Sequence, residues 1–436
     1  MYKNKELLSF LNKSVSNFHA VLEVKKQLEK VGFKELLETE LWKLEKGGKY
    51  FTTRNDSSII AFQIGKKLND YHYQVSAAHT DSPTFKVKEK AELKGKGGYL
   101  QLNTESYGGM IDSSWFDRPL SLAGRVLIKE DNKIVSKLLN IDEDLLIIPN
   151  VAIHLNREAN SGFKYNRQID LLPLFSVSKC EEGAYKQLLA NNLGVDVSTI
   201  LGHDMMLYNR NQAIEWGVKK EFISSPRLDN LQCTFATLQG FIASNNEEMI
   251  RVYTSFDNEE VGSSTKQGAG STFLYDVLQR INNALGYEVD DYYQAIAKSF
   301  MLSCDNAHAV HPNHPELTDA TNCAYMNKGV VVKYNANQRY TTDAVSNAVF
   351  MDLCKKHKLP TQLFANRSDM MGGSTLGNIS STKVSMKAVD LGLPQLAMHS
   401  AFETAGSKDT GYLVEATKIF FSTNILINES SIEIKE

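Results

Sequence analysis

The sequence has no run of about 18 or more apolar residues, which is the length that a helix needs to cross a bilayer. Its opening, MYKNKELLSFLNKSVSNFHAVLEVKKQLEK, also lacks the apolar block of a signal peptide and indicates helices with interspersed charge. We therefore expect a cytoplasmic protein with no membrane partner.

The sequence also has few cysteines and no large excess of charge of one sign. The 48 basic and 51 acidic residues give a net charge of -3, so neither nucleic acid nor an anionic membrane is expected as the main partner. The five cysteines are widely spaced, odd in number and form no CxxC pair, which argues against a disulfide framework and favours reduced thiols. They are Cys180, Cys233, Cys304, Cys323 and Cys354.

The length of 436 residues exceeds what one hydrophobic core usually covers and predicts two domains. Residues 88–222 alternate polar and apolar positions between turn residues, with a hairpin predicted in IKEDNKIV, and indicate a β-rich domain. Residues 1–87 and 223–436 carry helices and apolar strands in alternation. The predicted class is α/β, with a mostly parallel central sheet between helices and the β-rich domain inserted into it.

Acidic and imidazole side chains follow the predicted strands of the α/β part. The strand MIRVYTSF runs into Asp257, Glu259 and Glu260, and SFMLSC runs into Asp305. YHYQVSAA ends at His79, PQLAM precedes His399, and Asp229 opens a predicted helix in SSPRLDNL. Because ligands of parallel sheets bind beyond the carboxyl ends of the strands, these side chains are expected to converge. Nitrogen and oxygen ligands without thiolate suit zinc, manganese or cobalt.

A charge count favours two metal ions. Three carboxylates among the predicted ligands carry -3, two divalent ions carry +4, and one bridging hydroxide brings the sum to zero, which a partly buried site tolerates. Two ions about 3.5–4 Å apart would share Asp229 and the hydroxide. The predicted ligands are His79, Asp229, Glu260, Asp305 and His399.

Two further carboxylates receive roles from their positions beside these ligands. Glu259 precedes Glu260 and is predicted to take a proton from the bridging water as general base. Asp81, two residues after His79, is predicted to accept the second ring N–H of that histidine and so to fix its tautomer.

Each of these motifs alone has an ordinary structural explanation. A single HxD rarely binds metal, two adjacent glutamates usually form a solvated surface, and His399 could be a core histidine. The metal prediction depends on their joint occurrence, in this order, beside predicted strand ends.

Nine stretches across nearly the whole chain resemble the aspartyl aminopeptidase, or aminopeptidase I, family of dinuclear zinc exopeptidases. They are SAAHTDSPTFKVK, SYGGMIDSSWFDRPLSLAGRV, IPNVAIHLNR, SSPRLDNLQC, SFDNEEVGSSTKQGAGS, SCDNAHAVHPNHPE, VVKYNANQRYTTDAVS, SDMMGGSTLGNIS and LAMHSAFETAG. The resemblance implies a zinc-exopeptidase α/β/α domain with an inserted β-rich lid or dimerisation domain. It also implies a tetrahedral dodecamer that acts on peptides in the cytoplasm, and the same five ligands, with Glu259 as base and Asp229 as bridge.

The resemblance assigns four more residues. His154 would reach the active site of a neighbouring subunit and hold the substrate carbonyl or the tetrahedral intermediate, although without the family it reads as a surface histidine. Lys333 would pair with an acidic side chain at P1, the substrate residue that is released, although it could equally be an ordinary lysine near a strand end. Tyr340 and the loop SDMMGGSTLG, with Gly373, would line the substrate groove.

The function expected from these residues is metal-dependent removal of N-terminal residues from peptides. The alternatives are a dinuclear N-acyl amidohydrolase, or deacylase, and a non-catalytic assembly protein. Met370 and Met371 stand where acid-specific members of the family often carry polar or small residues, so the preference at P1, acidic or otherwise, stays open.

Overall fold

The computed structural model describes residues 4–177, 183–428 and 430–435, so that Cys180 lies outside the described residues. The chain forms two compact units. The first comprises Met1–Asp81, Ala213–Met398 and Glu403–Glu436, and the second comprises Ser82–Gln212 and His399–Phe402. The domain boundaries expected after residues 87 and 222 stay predictions.

The helices differ in length and mostly belong to the first unit; only α3 of those named here belongs to the second. In chain order they are α1 (Lys5–Lys13), α2 (Asn17–Lys30), α3 (Ala184–Leu193), α4 (Leu228–Ala243), α5 (Phe273–Ala284), α6 (Val289–Ala297), α7 (Ala344–Lys356), α8 (Leu376–Ser380) and α9 (Asp409–Ser422).

The strands occur throughout both units. They are β1 (Lys34–Glu35), β2 (Lys49–Arg54), β3 (Ser58–Ile64), β4 (Tyr73–His79), β5 (Thr84–Lys94), β6 (Tyr99–Tyr107), β7 (Leu120–Glu130), β8 (Lys133–Asn140), β9 (Leu174–Val177), β10 (Ile200–Asn209), β11 (Ile214–Trp216), β12 (Phe222–Ser225), β13 (Ile250–Phe256), β14 (Phe300–Cys304), β15 (Ala307–His308), β16 (Val330–Tyr334), β17 (Thr361–Ala365), β18 (Lys387–Gly392), β19 (Pro394–Leu396), β20 (Glu403–Gly406), β21 (Asn424–Ile427) and β22 (Ile432–Lys435).

The first unit is built on a nine-stranded sheet with the order β1-β2-β3-β13-β4-β14-β18-β16-β17. The central strands β13, β4, β14 and β18 run parallel, as do the pairs β1–β2 and β16–β17. The remaining pairs are antiparallel. A large, mainly parallel sheet in an α/β unit is the predicted fold class, which is therefore confirmed.

Two hydrophobic cores cover the two faces of this sheet. Ile59 and Ala61 of β3 belong to the core that contains Phe235 of α4, whereas Ile60 and Phe62 belong to the core that contains α5 and α6. Successive side chains of a strand point to opposite faces, so a strand buried on both sides must be apolar at nearly every position. The run SIIAFQI meets that condition, and helices lie on both faces of the sheet.

A five-stranded sheet, β11-β12-β20-β19-β15, also belongs to the first unit. It contains β19, the strand predicted from PQLAMHS. The strand beside β14 in the large sheet is instead β18, which lies immediately upstream in the same apolar run. The run KAVDLGLPQLAM is thus divided between two sheets, which its composition alone does not reveal.

The second unit carries an antiparallel sheet with the order β8-β7-β10-β5-β6-β9. The predicted hairpin is confirmed: Glu130 pairs with Lys133 across a two-residue turn, and Asp131 has a φ of 50°. Aspartate tolerates this left-handed conformation because its side chain can hydrogen-bond locally.

Within the described ranges, the structure contains no helix with both the length and the apolar character required to span a membrane.

Candidate metal centre

His79 lies among acidic side chains in the interior of the first unit. It is the last residue of β4 and is only 1% exposed. Its Nε2 atom lies 3.5 Å from Oδ1 of Asp229, 3.5 Å from Oδ1 of Asp305 and 3.9 Å from Oε2 of Glu259. Residues that are far apart in the sequence therefore place three carboxylates around one imidazole.

The parallel strands deliver most of these side chains. β13, β4 and β14 are neighbours that run in the same direction, so their carboxyl ends meet at one edge of the sheet. His79 pairs with Phe256, the last residue of β13, which sets the turn with Glu259 and Glu260 beside the imidazole. Asp305 follows the last residue of β14. The expected convergence of these residues is what the structure shows.

Asp229 lies in the first turn of α4. Its backbone is held there by Glu403, a residue for which the sequence predicted no role. The backbone N–H of Asp229 donates to Oε2 of Glu403 at 3.0 Å, and both residues are buried. Glu403 begins β20. Glu403 occurs in the stretch LAMHSAFETAG. A single glutamate in a strand does not indicate which distant N–H group donates a hydrogen bond to it. Glu403 thereby fixes the position of the peptide that carries the predicted bridging ligand.

The side chains fit a divalent metal ion. Ligand atoms of His79, Asp229 and Asp305 lie within 4.8 Å of one another, and so do those of His79, Glu259 and Glu260. Ligands held about 2.0–2.2 Å from a tetrahedral zinc ion are about 3.3–3.6 Å apart. That spacing includes the 3.5 Å between His79 Nε2 and each aspartate. An imidazole with several carboxylates is a ligand set that zinc, manganese and cobalt accept.

The concentration of acidic groups shifts pKa values. Burial lowers the pKa of His79, but the carboxylates of Asp229, Asp305 and Asp81 raise it well above its usual range. Burial, with the charges of nearby carboxylates, raises the pKa of Glu259 to about 8. Cations bound among these groups would offset the repulsion and lower the pKa of Glu259, because they favour its charged form.

Asp81 makes contacts beyond the one predicted for it. The Nδ1 atom of His79 lies 3.1 Å from the backbone carbonyl oxygen of Asp81 and 3.4 Å from its carboxylate. A histidine that donates its Nδ1–H keeps the Nε2 lone pair for a metal. The two carboxylate oxygens of Asp81 also accept the backbone N–H groups of Glu259, at 3.2 Å, and Glu260, at 3.1 Å. Asp81 thus contacts both the predicted ligand and the turn that carries the predicted base.

Asp257 also forms hydrogen bonds that support the turn carrying Glu259 and Glu260. Its Oδ1 accepts the Nδ2–H of Asn17 at 3.0 Å and the backbone N–H of Asn258 at 2.8 Å. Asn17 begins α2 and is separated from Asp257 by 240 residues. Burial, together with the charge of Asp81, raises the pKa of Asp257 to about 7. Sequence reasoning gave no role to Asn17, since an asparagine in an amphipathic helix carries no signal of such a distant partner.

Lys333 is buried beside the candidate ligand Asp305. It lies in β16 and is 2% exposed. Its Nζ donates to the backbone carbonyl oxygen of Asp305 at 2.8 Å, lies 3.5 Å from Oδ2 of the same residue, and sits 5.0 Å from the centroid of the Tyr340 ring. Burial lowers the pKa of Lys333, but Asp305, Tyr340 and Asp390 together raise it, so the net shift is upward.

Gly373 lines a cavity of about 340 Å³ within the first unit. Phe364, Met370, Met371 and Arg367 also contribute to its wall. The volume falls in the range of small-molecule pockets, roughly 300–1,000 Å³. The roles expected of Gly373 and Tyr340 in substrate binding stay predictions.

His154 and His399 belong to the second unit. His154 is exposed in the segment between β8 and β9. The Nδ1 atom of His399 lies 2.6 Å from the backbone carbonyl oxygen of Gly109. The parts predicted for both histidines in the active site stay predictions.

Comparison with protein families matches residues 10–421 to the family described as "Aminopeptidase I zinc metalloprotease (M18)". The chain belongs to this M18 family. The resemblance found in the motifs is thereby confirmed, and the protein is a zinc metal-dependent aminopeptidase, a peptide hydrolase.

Relatives match over almost the full length of the M18 chain. A probable M18 family aminopeptidase 2 of Clostridium novyi (strain NT) is 46% identical over 423 residues, which cover 96% of this chain and 98% of the relative. A protein of the same description from Clostridium acetobutylicum is 43% identical over 424 residues, with coverage of 96% and 98%.

Solved structures share the fold. A chain in the "Cryo-EM structure of the Ape4 and Nbr1 complex" superposes with a TM-score of 0.93 at 40% identity, covering 96% of this chain and 85% of that one. A chain in the "Structure of S. cerevesiae mApe1 dodecamer" has a TM-score of 0.83 at 28% identity, with coverage of 96% and 95%.

Proposed function

We propose that this M18 aminopeptidase releases N-terminal residues of peptides with two divalent metal ions, zinc foremost, bound around His79. The observation that carries the proposal is the pair of 3.5 Å separations from His79 Nε2 to the buried Asp229 and Asp305. Manganese or cobalt could replace zinc with the same ligand set.

The chain's own residues divide the work of holding the ions. His79 and Asp305 would bind one ion, Glu260 and His399 the other, and Asp229 would bridge the two. When bound, the ions polarise the scissile carbonyl group and lower the pKa of a bound water from 15.7 to about 7. Asp81 and Glu403 keep the ligands in place through the contacts described above.

Glu259 is proposed to move the proton. Its Oε2 lies 3.9 Å from Nε2 of His79, at the same edge of the sheet as the ligands. From there its carboxylate would take a proton from the attacking water and pass it to the nitrogen of the leaving amine. The hydrogen bonds that the backbone N–H groups of Glu259 and Glu260 donate to the Asp81 carboxylate support this role, because a general base must be held within reach of the proton that it removes.

The substrate side chain would enter beside Tyr340 and Gly373. Under the resemblance, Lys333 pairs with an acidic residue at P1, which would make aspartate and glutamate preferred. Met370 and Met371 in the cavity wall favour apolar contacts instead. The ranking of P1 residues in the assay below decides between these preferences.

The M18 chain is further proposed to assemble as a dodecamer in the cytoplasm. The similarity to a chain described as a dodecamer supports the assembly. His154, exposed on the second unit, would then reach a neighbouring subunit and bind the substrate carbonyl oxygen there. Light scattering should give a particle of twelve chains of 48.8 kDa, and a stable single chain would exclude the assembly.

The test is release of the N-terminal residue from matched short peptides. Aspartate, glutamate, lysine, leucine and alanine would stand at P1, each with a free and an acetylated amine. The protein would be stripped with a chelator and reloaded with zinc, manganese or cobalt. We expect cleavage of the free-amine series alone, and only after metal is returned.

The other outcomes identify the rival functions. Cleavage of the acetylated series would move the activity to an N-acyl amidohydrolase. A metal-loaded protein that cleaves no peptide would favour an assembly role. Protein reloaded with magnesium is the control, since the small, hard Mg²⁺ ion prefers oxygen ligands and octahedral geometry.

A further inference from the structure

Lys333 is buried and contacts other groups of the protein, unlike a side chain that is open to the substrate. Its side chain is 2% exposed. A lysine ammonium has three N–H donors, and three groups lie around this one. They are the carbonyl oxygen of Asp305 at 2.8 Å, Oδ2 of Asp305 at 3.5 Å, and the face of the Tyr340 ring at 5.0 Å. The protein itself thus supplies two oxygen partners and one aromatic face to Lys333.

The two oxygens of the Asp305 carboxylate face different partners. Oδ1 lies 3.5 Å from Nε2 of His79, on the side of the candidate metal ion. Oδ2 lies 3.5 Å from Nζ of Lys333. The same ammonium binds the backbone carbonyl of Asp305, so it restrains both the main chain and the rotation of the carboxylate. A ligand fixed in this way offers one oxygen to the metal.

A positive charge beside two cations needs its own counter-ion. The register of the antiparallel pair β16–β18 sets Val332 opposite Leu391, and Lys333 and Asp390 are the next residues along these two strands. Asp390 is fully buried. A carboxylate at Asp390 would offset the charge of the Lys333 ammonium in the interior of the protein.

The geometry points to Lys333 as a positioning residue for the metal ligand Asp305, so that its replacement affects the cleavage of every substrate. The inference rests on the function proposed above, because it concerns the same metal site. Outer partners of metal ligands typically change metal affinity by 10–100-fold when they are replaced.

The test compares Lys333→Met, Lys333→Met with Asp390→Asn, and the exposed control Lys328→Met. The double variant removes both the ammonium group of Lys333 and the carboxylate of Asp390. It therefore leaves neither charge uncompensated in the interior if the single variant folds poorly. Zinc affinity is measured on purified protein by competition with a chromophoric chelator, which requires no turnover. The kinetic constants for peptides with aspartate or leucine at P1 are then measured at increasing zinc concentrations.

We expect both Lys333 variants to bind zinc about 10–100-fold more weakly, with Lys328→Met unchanged. At low zinc, kcat/KM should fall by the same factor for the two peptides, and excess zinc should restore most of the lost turnover. Structural damage alone would not be reversed by zinc.

An unchanged zinc affinity would overturn the inference. If the KM of only the aspartate peptide then rises, Lys333 is the acidic-side-chain partner that the resemblance implies. If wild-type protein binds zinc but releases no residue from any peptide, the proposed function fails, while the zinc titration still decides the role of Lys333.

Discussion

Replacing Glu259 with glutamine is expected to lower kcat by about 10²–10⁴-fold, the contribution typical of a general base. Glutamine has nearly the same shape as glutamate, but its amide cannot accept a proton from water at neutral pH. The proposed ligands His79, Asp229 and Asp305 are unchanged in this variant, so its zinc content should equal that of the wild type. Turnover is measured with a free-amine peptide, and zinc by elemental analysis.

The location of Glu259 makes the zinc measurement essential. Ligand atoms of Glu259, Glu260 and His79 lie within 4.8 Å of one another, so Glu259 could itself hold a metal ion. Loss of zinc together with activity would identify it as a ligand. Turnover close to the wild-type value would exclude it as the base. Glu29→Gln, an exposed substitution of the same kind in α2, is the control and should change neither quantity.

Replacing Asp229 with alanine is expected to remove both metal ions and to reduce turnover to the background rate. A bridging carboxylate supplies a ligand to each ion, and its loss also leaves the cluster with one negative charge fewer to balance two cations. Glu260→Ala should lose less metal than Asp229→Ala. It should lose one ion and keep the other, because His79, Asp229 and Asp305 remain together.

The metal content of these two variants therefore distinguishes a carboxylate that bridges both ions from one that binds a single ion. If Asp229→Ala retains one ion with high affinity, Asp229 serves a single ion and the bridging assignment is wrong. The control is Asp290→Ala, which removes an exposed carboxylate from α6 and should leave metal and activity unchanged. Thermal denaturation of each variant shows whether the fold survives the substitution.

The sequence predicted the parts of the site that depend on strand ends. His79, Glu259 and Asp305 converge because β13, β4 and β14 are adjacent and parallel, and that arrangement follows from alternating apolar strands and helices. Two of the predicted carboxylate ligands, Asp229 and Asp305, are also buried beside His79. These predictions rest on local patterns of the chain.

Contacts between distant side chains could not be predicted in the same way. Nothing in the sequence pairs Asn17 with Asp257, Glu403 with the amide of Asp229, or Lys333 with Asp305. Each is a hydrogen bond set by the exact packing of two elements, and residue spacing carries no information about it. Dividing the run KAVDLGLPQLAM between β18 and β19 is a similar case, since both halves are apolar.

The most direct test of the metal site is a crystal of zinc-loaded protein measured on both sides of the zinc absorption edge. The anomalous difference map should show two peaks about 3.5–4 Å apart. One peak should lie about 2.0–2.1 Å from Nε2 of His79, between Asp229 and Asp305. A single peak would contradict the dinuclear site, and peaks only at other side chains would contradict the assignment of this cluster as the active centre.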